Sequence, residues 1–252
     1  QDLSNEQRDS LRKRLAEDKR KAELARKADA ERAAKRAANA WRQYAADGDC
    51  EYLHRKAVRG HGVRYTQAGS MVIPMIDAAG KVHGLQIIRG RQPTGTRQRL
   101  EKEFWPSGLV KRGHFFMLGM PGAIVLVAEG YATAASLHEA TGLPVAVCFD
   151  AGNIAPVAAA LRKRHKQTKI LVCADDDDTQ KCQHEDCRQR VWVSDGPDCP
   201  HCGRPHKAQN AGVSCASAAA MEVDGAWMAP EFADQAARRT AWLDKGVKTN
   251  DF

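Results

Sequence analysis

The chain has 252 residues, of which 43% are hydrophobic and 28% are charged, a composition typical of a soluble globular protein rather than of a disordered or fibrous one. No apolar run approaches the roughly 18 residues of a membrane span, and the N-terminus lacks the charged and then apolar order of a signal peptide. A cytoplasmic protein with one large or two modest domains is therefore expected.

The net charge of +8 is unevenly distributed along the chain. It is +5 over residues 1–46, +6 over 47–120, −2 over 121–180 and −1 over 181–252. A basic N-terminal half is consistent with a polyanionic partner, although charge alone fits solubility equally well.

Residues 1–46 are predicted to form a basic, Ala-rich helical segment. Ala, Glu, Lys and Arg dominate, and no Gly or Pro occurs before Gly48. The apolar positions Leu11, Leu15, Leu24 and Trp41 form only a broken stripe, which argues against a strong coiled coil. A solvated or partner-facing helix is favoured over a phosphate-contacting arm.

Residues 47–120 are predicted to form a smaller, basic α+β subdomain. Two apolar runs flank the turn Asp77-Ala-Ala-Gly80 in "MVIPMIDAAGKVHGLQIIRG", which indicates a β-hairpin. Basic and aromatic residues alternate in the following stretch, which ends in a predicted strand from His114 to Leu118. This interleaving suits phosphates and stacked bases, and an amphipathic strand face gives the same pattern.

Residues 121–252 are predicted to form a doubly wound parallel α/β sheet. The runs "AIVLVAEG", "PVAVCFD" and "KILVCAD" are typical of buried strands, and "YATAASLHEATG" and "NIAPVAAALRKRH" are typical of the helices between them. Ligands of such a sheet bind at the carboxyl ends of the strands.

Acidic residues follow the first and third of these strands. Glu129 ends the first strand, and "DDDD" from Asp175 to Asp178 follows the third. Side chains alternate in an extended segment, so Asp175 and Asp177 point to one side and Asp176 and Asp178 to the other. Glu129, Asp175 and Asp177 therefore form a candidate Mg²⁺ or Mn²⁺ site at one sheet edge. An isolated acidic run is more often a solvated loop.

A cysteine cluster interrupts this α/β region. Cys182-x₄-Cys187 and Cys199-x₂-Cys202 are spaced for one tetrahedral structural Zn²⁺ in a ribbon over residues 180–207. Two disulfides are disfavoured because the expected compartment is reducing. Three nearby histidines are alternative ligands, although a four-cysteine set is simpler: His184, His201 and His206.

The carboxylate pattern resembles the Toprim domain, whose members carry a glutamate after the first strand and Asp-x-Asp after the third. The segments "EGYATAASLHEATGLPVAVCFDAGN", "ADDDD", "KEFWPSG", "KRGHFFMLG" and "KTNDF" are similar to primases of plasmids, phages and integrated mobile elements. The resemblance covers residues 50–252. The sequence differs from the family pattern at Asp176, where the family has Asn. The resemblance also implies that Gly212 is the glycine that follows the aspartates. The family continues beyond the last residue, so a longer polypeptide is expected.

This resemblance implies a DNA primase catalytic core that synthesises RNA primers on single-stranded DNA from ribonucleoside triphosphates. Asp175 and Asp177 would hold Mg²⁺, and Glu129 would be the acid/base or a further ligand. Primases of this type carry a zinc module that helps to recognise template, so the inserted ribbon is expected to hold template or the initiating nucleotide, with a purely structural clip as the alternative. The expected nucleotide- and DNA-binding residues are Lys102, Lys111, Arg112, His114, Arg188, Arg190, Trp192, Arg204 and Lys207.

Three further questions stay open in the sequence. A non-catalytic zinc/Toprim DNA-binding module of the recombination-mediator kind and a Toprim nuclease are the alternative functions. The intact set of Glu129, Asp175 and Asp177 argues against the non-catalytic module. The basic segment and the mobile-element-like motifs favour a primase over a nuclease. A replicative helicase is a candidate partner, fused or separate, and the first helix is a candidate docking element.

Overall fold

The computed structural model describes residues 5–90, 101–206 and 209–248. Two compact units make up the chain: Gln1–Cys50 with Val63–Lys111, and Glu51–Gly62 with Arg112–Phe252. The boundary expected at residue 46 therefore does not separate two units, and the first helix shares a unit with the sheet that follows it.

In the first unit, the long helix α1 (Asn5–Gln43) packs on an antiparallel sheet only through its C-terminal part. Ala33, Ala34 and Ala37 are at most 2% exposed, and these small side chains at helical spacing let the helix approach the sheet closely. Leu11, by contrast, is exposed. The helix predicted within residues 1–46 is present over Asn5–Gln43.

The first unit's sheet has the order β1-β2-β3-β4, with all neighbours antiparallel. Its strands are β1 (Arg64–Tyr65), β2 (Met71–Ile76), β3 (Val82–Ile88) and β4 (Lys102–Trp105). The predicted hairpin joins β2 and β3. In its turn the Asp77 carboxylate accepts the backbone N–H groups of Ala79 and Lys81, and Gly80 takes a positive φ of 85°.

The second unit contains a five-stranded sheet of order β11-β8-β6-β7-β5. It comprises β5 (Phe116–Leu118), β6 (Ile124–Ala128), β7 (Val145–Val147), β8 (Lys169–Cys173) and β11 (Ala226–Met228). The strands are parallel except β5, which runs antiparallel to β7. β7 lies on one side of β6 and β8 on the other, so the chain reverses its winding direction at β6, as the predicted doubly wound fold requires.

Three helices connect these strands, and the first two of them were predicted from the sequence. They are α3 (Tyr131–Thr141), α4 (Ile154–Arg164) and α5 (Ala211–Glu222), and α4 packs against α5. α3 ends at Gly142, which takes a left-handed φ of 68° and donates its N–H to the carbonyl of His138. Two short strands, β9 (Thr179–Lys181) and β10 (Arg190–Trp192), and the short helix α6 (Gln235–Thr240) complete the unit.

The segment from residue 51 to residue 62, which contains α2 (Glu51–Lys56), belongs to this second unit. Glu139 on α3 accepts the N–H of Arg59 at 2.8 Å and contacts Nε2 of His61 at 2.8 Å. The Tyr131 hydroxyl donates to the carbonyl of Arg59 and accepts the N–H of His61. The residues expected to form one subdomain over 47–120 are thus divided between two units.

Within the part of the chain that the structure describes, no helix combines the length and apolar character needed to cross a membrane.

Candidate metal centres

The carboxyl ends of β6 and β8 bring the predicted catalytic acids to one edge of the sheet. The two strands are neighbours and parallel, and Ala128 is the register partner of Cys173. Glu129 follows Ala128 directly, and Asp175 follows Cys173 by two residues. Because neighbouring strands lie about 4.8 Å apart, residues immediately beyond two paired positions leave the sheet close together.

The aspartate run divides into two pairs with different burial. Asp176 and Asp178 are 8% and 7% exposed, whereas Asp175 and Asp177 are half-buried. The alternation agrees with the two-sided arrangement expected of an extended segment. Only Asp175 and Asp177 therefore keep a partly accessible side chain after the strand.

The buried pair is held by internal hydrogen bonds. Asp176 accepts Nη1 of Arg238 at 2.6 Å and Nδ2 of Asn210 at 2.7 Å, and its backbone carbonyl accepts Nη2 of Arg238. The Asp178 carboxylate accepts the Ser194 hydroxyl with both oxygens, at 2.7 and 2.8 Å. These two aspartates fix the loop, because their carboxylates are used by internal hydrogen bonds.

Gly212 and Asn210, at the start of α5, pack on the other pair. The N–H of Gly212 donates to Oδ2 of Asp177 at 3.1 Å, and the N–H of Asp177 donates to the Asn210 side chain. A Cβ on Gly212 would lie 2.1 Å from the Asp175 carbonyl oxygen, so no larger residue fits. The glycine expected from the family pattern thus contacts the Asp-x-Asp loop although 34 residues separate it from Asp178.

The chemistry of these donors fits an open Mg²⁺ site. Among the described residues, only the four cysteines bring three or more metal-ligand atoms within 4.8 Å of one another, so the carboxylates form no closed cage. Mg²⁺ commonly uses one or two carboxylates and completes its shell with water and substrate phosphates. The half-buried Asp175 and Asp177, with Glu129 at the same edge of the sheet, fit this mode of coordination.

Asp150 is a carboxylate at this edge that the sequence reasoning did not select. It follows β7, the strand paired with β6 on its other side, and it could have been found by the same strand-end rule. Burial raises the pKa of the Cys148 thiol well above its usual value, and the nearby charges of Asp150 and Glu129 raise it further. Phe149, which lies between Cys148 and Asp150 in the sequence, adopts a positive φ of 73° and donates its N–H to the Glu129 carbonyl at 2.7 Å.

The four predicted cysteines converge on one point. Their Sγ atoms all lie within 4.8 Å of one another, with Cys182 to Cys202 at 4.0 Å and Cys187 to Cys199 at 3.7 Å. A tetrahedral zinc site with Zn–S bonds of about 2.3 Å has sulfur–sulfur edges of about 3.8 Å. These distances fit Zn²⁺ and are far from the roughly 2.05 Å of a disulfide.

Backbone N–H groups donate hydrogen bonds to three of these sulfurs. Each donor belongs to the residue two positions after the cysteine, namely His184, Gln189 and Arg204. The N–H of Arg204, together with its side chain and neighbouring thiols, lowers the pKa of Cys202 to about 6 against the opposing effect of burial. N–H donors of this kind favour the thiolate, which is the form that binds metal. At Cys182, burial outweighs the N–H donor and raises the pKa, and at Cys187 the N–H of Gln189 is outweighed by burial and by hydrogen bonds to the other thiols, which raise the pKa to about 12.

Two of the alternative histidine ligands are engaged elsewhere. Nε2 of His184 contacts the carbonyl of Pro205 at 2.8 Å, and Nε2 of His206 contacts that of Gly196 at 2.8 Å. His201 is exposed. The four-cysteine set is the one that the geometry supports.

The ribbon contacts both the aspartate loop and the helical turn Ala241–Lys245, called here the C-terminal turn. The N–H of Val193 donates to the Asp178 carbonyl, next to the Ser194 bonds described above. Trp242 Nε1 donates to the Val191 carbonyl, and Arg190 Nη1 donates to the carbonyls of Leu243 and Asp244.

These contacts correct the expected roles of Arg190 and Trp192. Trp192 is 8% exposed and packs under Arg238, whose guanidinium carbon lies 4.9 Å from its ring centroid. Its ring is not accessible to a stacked base, and the Arg190 guanidinium is used by backbone carbonyls. Both side chains hold the ribbon to the rest of the unit because its own polar sequence offers little apolar surface.

The other predicted DNA-binding residues are distributed over both units. Arg188 is exposed, and Arg204 is exposed and paired with Asp186 at 2.5 Å. In the first unit, Lys102 is exposed and Nζ of Lys111 lies 4.8 Å from the Phe104 ring centroid. The remaining members belong to the second unit: Arg112, which is exposed, His114, which is half-buried, and Lys207, which lies outside the described residues.

Comparison with known proteins confirms the Toprim resemblance. Residues 124–238 match the family model of the Toprim domain. Two sequences named DNA primase TraC from Escherichia coli are 35% and 34% identical over 133 residues, which is 50% of this chain. The chain spans only 12% and 9% of those relatives' own length.

Solved primase structures are also similar, at low identity. The RNA polymerase domain of Mycobacterium tuberculosis primase DnaG matches with 18% identity and a TM-score of 0.34, covering 54% of this chain and 52% of that one. A structure of the DnaG catalytic core matches with 13% identity and a TM-score of 0.35, covering 50% and 54%.

Proposed function

We propose that this chain contains the catalytic core of a DNA primase of a mobile element, which synthesises short RNA primers on single-stranded DNA by metal-dependent nucleotidyl transfer. The observation that carries the proposal is the pairing of Ala128 with Cys173, which directs Glu129 and the Asp175–Asp177 loop to the same edge of a Toprim sheet. The relatives named DNA primase TraC support this reaction over the other chemistries of the same carboxylates.

In this proposal, Asp175 and Asp177 hold Mg²⁺ or Mn²⁺, and Glu129 acts as acid/base or as a further ligand. The bound ion supplies charge stabilisation for the triphosphate and lowers the pKa of the attacking 3′-hydroxyl. Asp176 and Asp178 orient the loop through Arg238 and Ser194. Gly212 lets α5 approach the loop and donates its N–H to Asp177.

The zinc-binding residues in this proposal are Cys182, Cys187, Cys199 and Cys202. Because the ribbon bonds to Asp178 and to the C-terminal turn, it acts first as a clip for the catalytic loop. Contact with template remains assigned to the exposed residues Arg188 and Arg204 and to Lys207. Lys102, Lys111, Arg112 and His114 are assigned to triphosphate or template, and a replicative helicase is the further candidate partner.

Incubation with single-stranded DNA, labelled ribonucleotides and Mg²⁺ tests the proposal. The unaltered chain is expected to produce new oligonucleotides. Asp175→Ala and Glu129→Gln are expected to abolish this synthesis and to retain most DNA affinity, because that affinity is assigned to basic residues elsewhere. Glu222→Gln removes an exposed carboxylate outside the site and serves as the matched control.

Other products would contradict the primase reaction in different ways. Shortened template DNA would indicate a Toprim nuclease, and binding without any new product would indicate a non-catalytic DNA-binding module. Equal loss of synthesis and DNA affinity in Asp175→Ala would contradict the division between metal-binding and DNA-binding residues.

A further inference from the structure

The charges of the Toprim sheet are segregated between its two edges. Between residues 121 and 180, six of the seven carboxylates follow the carboxyl ends of strands β6, β7 and β8: Glu129, Asp150 and Asp175–Asp178. All five Lys and Arg residues of the same region lie within the eight residues from Arg162 to Lys169, at the end of α4 and the start of β8. The net charge of −2 for residues 121–180 therefore does not reveal that negative and positive charges lie at opposite edges of the sheet.

The basic edge contains an open groove. A cavity of about 800 Å³ lies between the turn before β6 and the loop from α4 to β8, and its cationic lining residues are Arg164, Lys166 and Lys169, with His165 beside them. No carboxylate lines it. A second groove of about 610 Å³ shares Lys166 and Lys169 and continues toward the start of β11, where Arg162 and Asp224 also line it. We refer to the two together as the amino-end groove.

Local structure accounts for only some of these cations. Arg162 stabilises the loop, since its guanidinium donates to the carbonyls of Val223, Lys166 and Thr168. Basic residues in the last turn of α4 also interact favourably with the helix dipole. Lys166 and Lys169 lie beyond the helix and are exposed. Neither reason explains why they share a groove whose lining includes one carboxylate residue, Asp224, against four Lys and Arg residues.

We infer that the amino-end groove binds the sugar–phosphate backbone of nucleic acid, a surface separate from the carboxylate edge. The proposed function is used here only to identify the polyanion. Several lysine and arginine side chains along an open groove suit successive phosphates, whereas a single compact anion would need a closed pocket. The five-residue strand β8 separates the groove from the carboxylates by roughly 15 Å, so the acidic edge repels the backbone little there.

The test measures DNA affinity of the full chain as a function of salt. Fluorescence anisotropy of a labelled single strand and of a labelled duplex is recorded from 50 to 300 mM KCl for Lys166→Gln/Lys169→Gln. We expect affinity at 100 mM salt to fall about tenfold or more, and the slope of log affinity against log salt to become shallower by about 1.4 for single strands and about 1.8 for duplex. The comparison of the two probes identifies the form of nucleic acid bound.

Two further variants keep the inference falsifiable. Lys56→Gln/Lys245→Gln makes the same charge change at two exposed lysines of the same unit outside the groove, and it should leave the slope unchanged. Gln167→Lys adds a cation to the groove and should steepen the slope by about 0.7 to 0.9. Unchanged slopes in both groove variants would overturn the inference, and this result is expected if the groove binds an acidic protein instead. An equal decrease in affinity and slope in the control variant would also overturn it.

Primer synthesis by the unaltered chain is measured separately, so the two proposals can fail independently. Normal synthesis with unchanged DNA binding in the groove variants overturns only the groove. Absent synthesis with weakened DNA binding in those variants overturns only the primase reaction. Circular dichroism and zinc content verify that each variant is folded.

Discussion

At the scale of single residues, Asp176 and Arg238 form an ion pair that explains a departure from the family pattern. Where the family has Asn, this chain has a buried carboxylate that contacts an arginine with a side chain only 4% exposed. The Arg238 guanidinium also lies 3.9 Å from the Phe232 ring centroid. The additional negative charge is therefore neutralised inside the unit and adds little to the charge at the metal edge.

Replacing Asp176 by Asn should destabilise the chain without removing a metal ligand. The amide leaves Arg238 as a buried cation without its ionic partner, which typically costs about 3 kcal/mol. The free energy of unfolding is measured by urea denaturation in Mg²⁺-free buffer with zinc present. Asp175→Asn removes the same charge one residue earlier and should change this free energy by less than about 1 kcal/mol. Equal destabilisation by both variants would contradict the assignment of Asp176 to the loop's internal support.

At the scale of elements, the zinc ribbon and the C-terminal turn stabilise each other. Trp192 and Trp242 are 8% and 6% exposed, and Trp242 bonds to the carbonyl of Val191 inside the ribbon. The ribbon's own core contains little apart from Val191 and the cysteines. In the proposed zinc-bound form, metal binding is expected to supply most of the free energy that orders this element.

Removal of zinc should expose both tryptophans. A variant with Phe at the other three tryptophan positions, Trp41, Trp105 and Trp227, confines the emission to Trp192 and Trp242. We expect a red shift when a chelator releases zinc, and the same shift in Cys202→Ser. Cys215→Ser, which changes a cysteine outside the cluster, should behave as the unaltered chain does. Complete zinc release without a spectral change would show that the ribbon does not depend on the metal.

The contact between Glu139 on α3 and the segment before residue 63 makes a pH-dependent contribution to stability. Partial burial raises the pKa of Glu139, but hydrogen bonds from Arg59 and His61 outweigh it and lower the pKa below the ordinary value of 4.5. A lowered folded-state pKa stabilises the fold above pH 4.5, and this stabilisation is lost as the pH falls through the folded-state value.

Glu139→Gln should therefore be less stable than the unaltered chain by about 1 kcal/mol at pH 7. The difference should persist at pH 5.5 and shrink below pH 4.5, because protonation removes the same charge from the unaltered chain. Urea denaturation at these pH values provides the measurement, with Glu222→Gln as an exposed control. A difference that is constant down to pH 3.5 would indicate a packing effect instead of a charge effect.

At the scale of the whole molecule, the sequence predicts what depends on local periodicity and spacing. Strand β6, strand β8 and the four cysteines follow from such patterns. The pairing of Asp176 with Arg238 does not, because 62 residues separate them and no local signal marks either one. Arg190 and Trp192 were expected to contact DNA because a sequence shows residue type and not burial. The division of residues 47–120 between two units likewise depends on long-range contacts around Glu139 and Tyr131.

That division predicts how the second unit behaves as a fragment. Residues 112–252 alone lack the segment from residue 51 to residue 62, in which Tyr52, Leu53 and Val58 are at most 9% exposed. At roughly 1.5 kcal/mol or more for each of the three buried side chains, the loss should be at least about 4.5 kcal/mol.

A fusion of residues 51–62 to residues 112–252 should restore this free energy of unfolding. A flexible linker of about ten residues is long enough, because a Cβ on Gly62 would lie 3.5 Å from the Phe116 ring and the two ends to be joined are therefore close. Urea denaturation compares the fragment with the fusion, and a fusion carrying Leu53→Asp is the matched control that should remain unstable. Equal stability of fragment and fusion would show that the segment is not part of this unit's core.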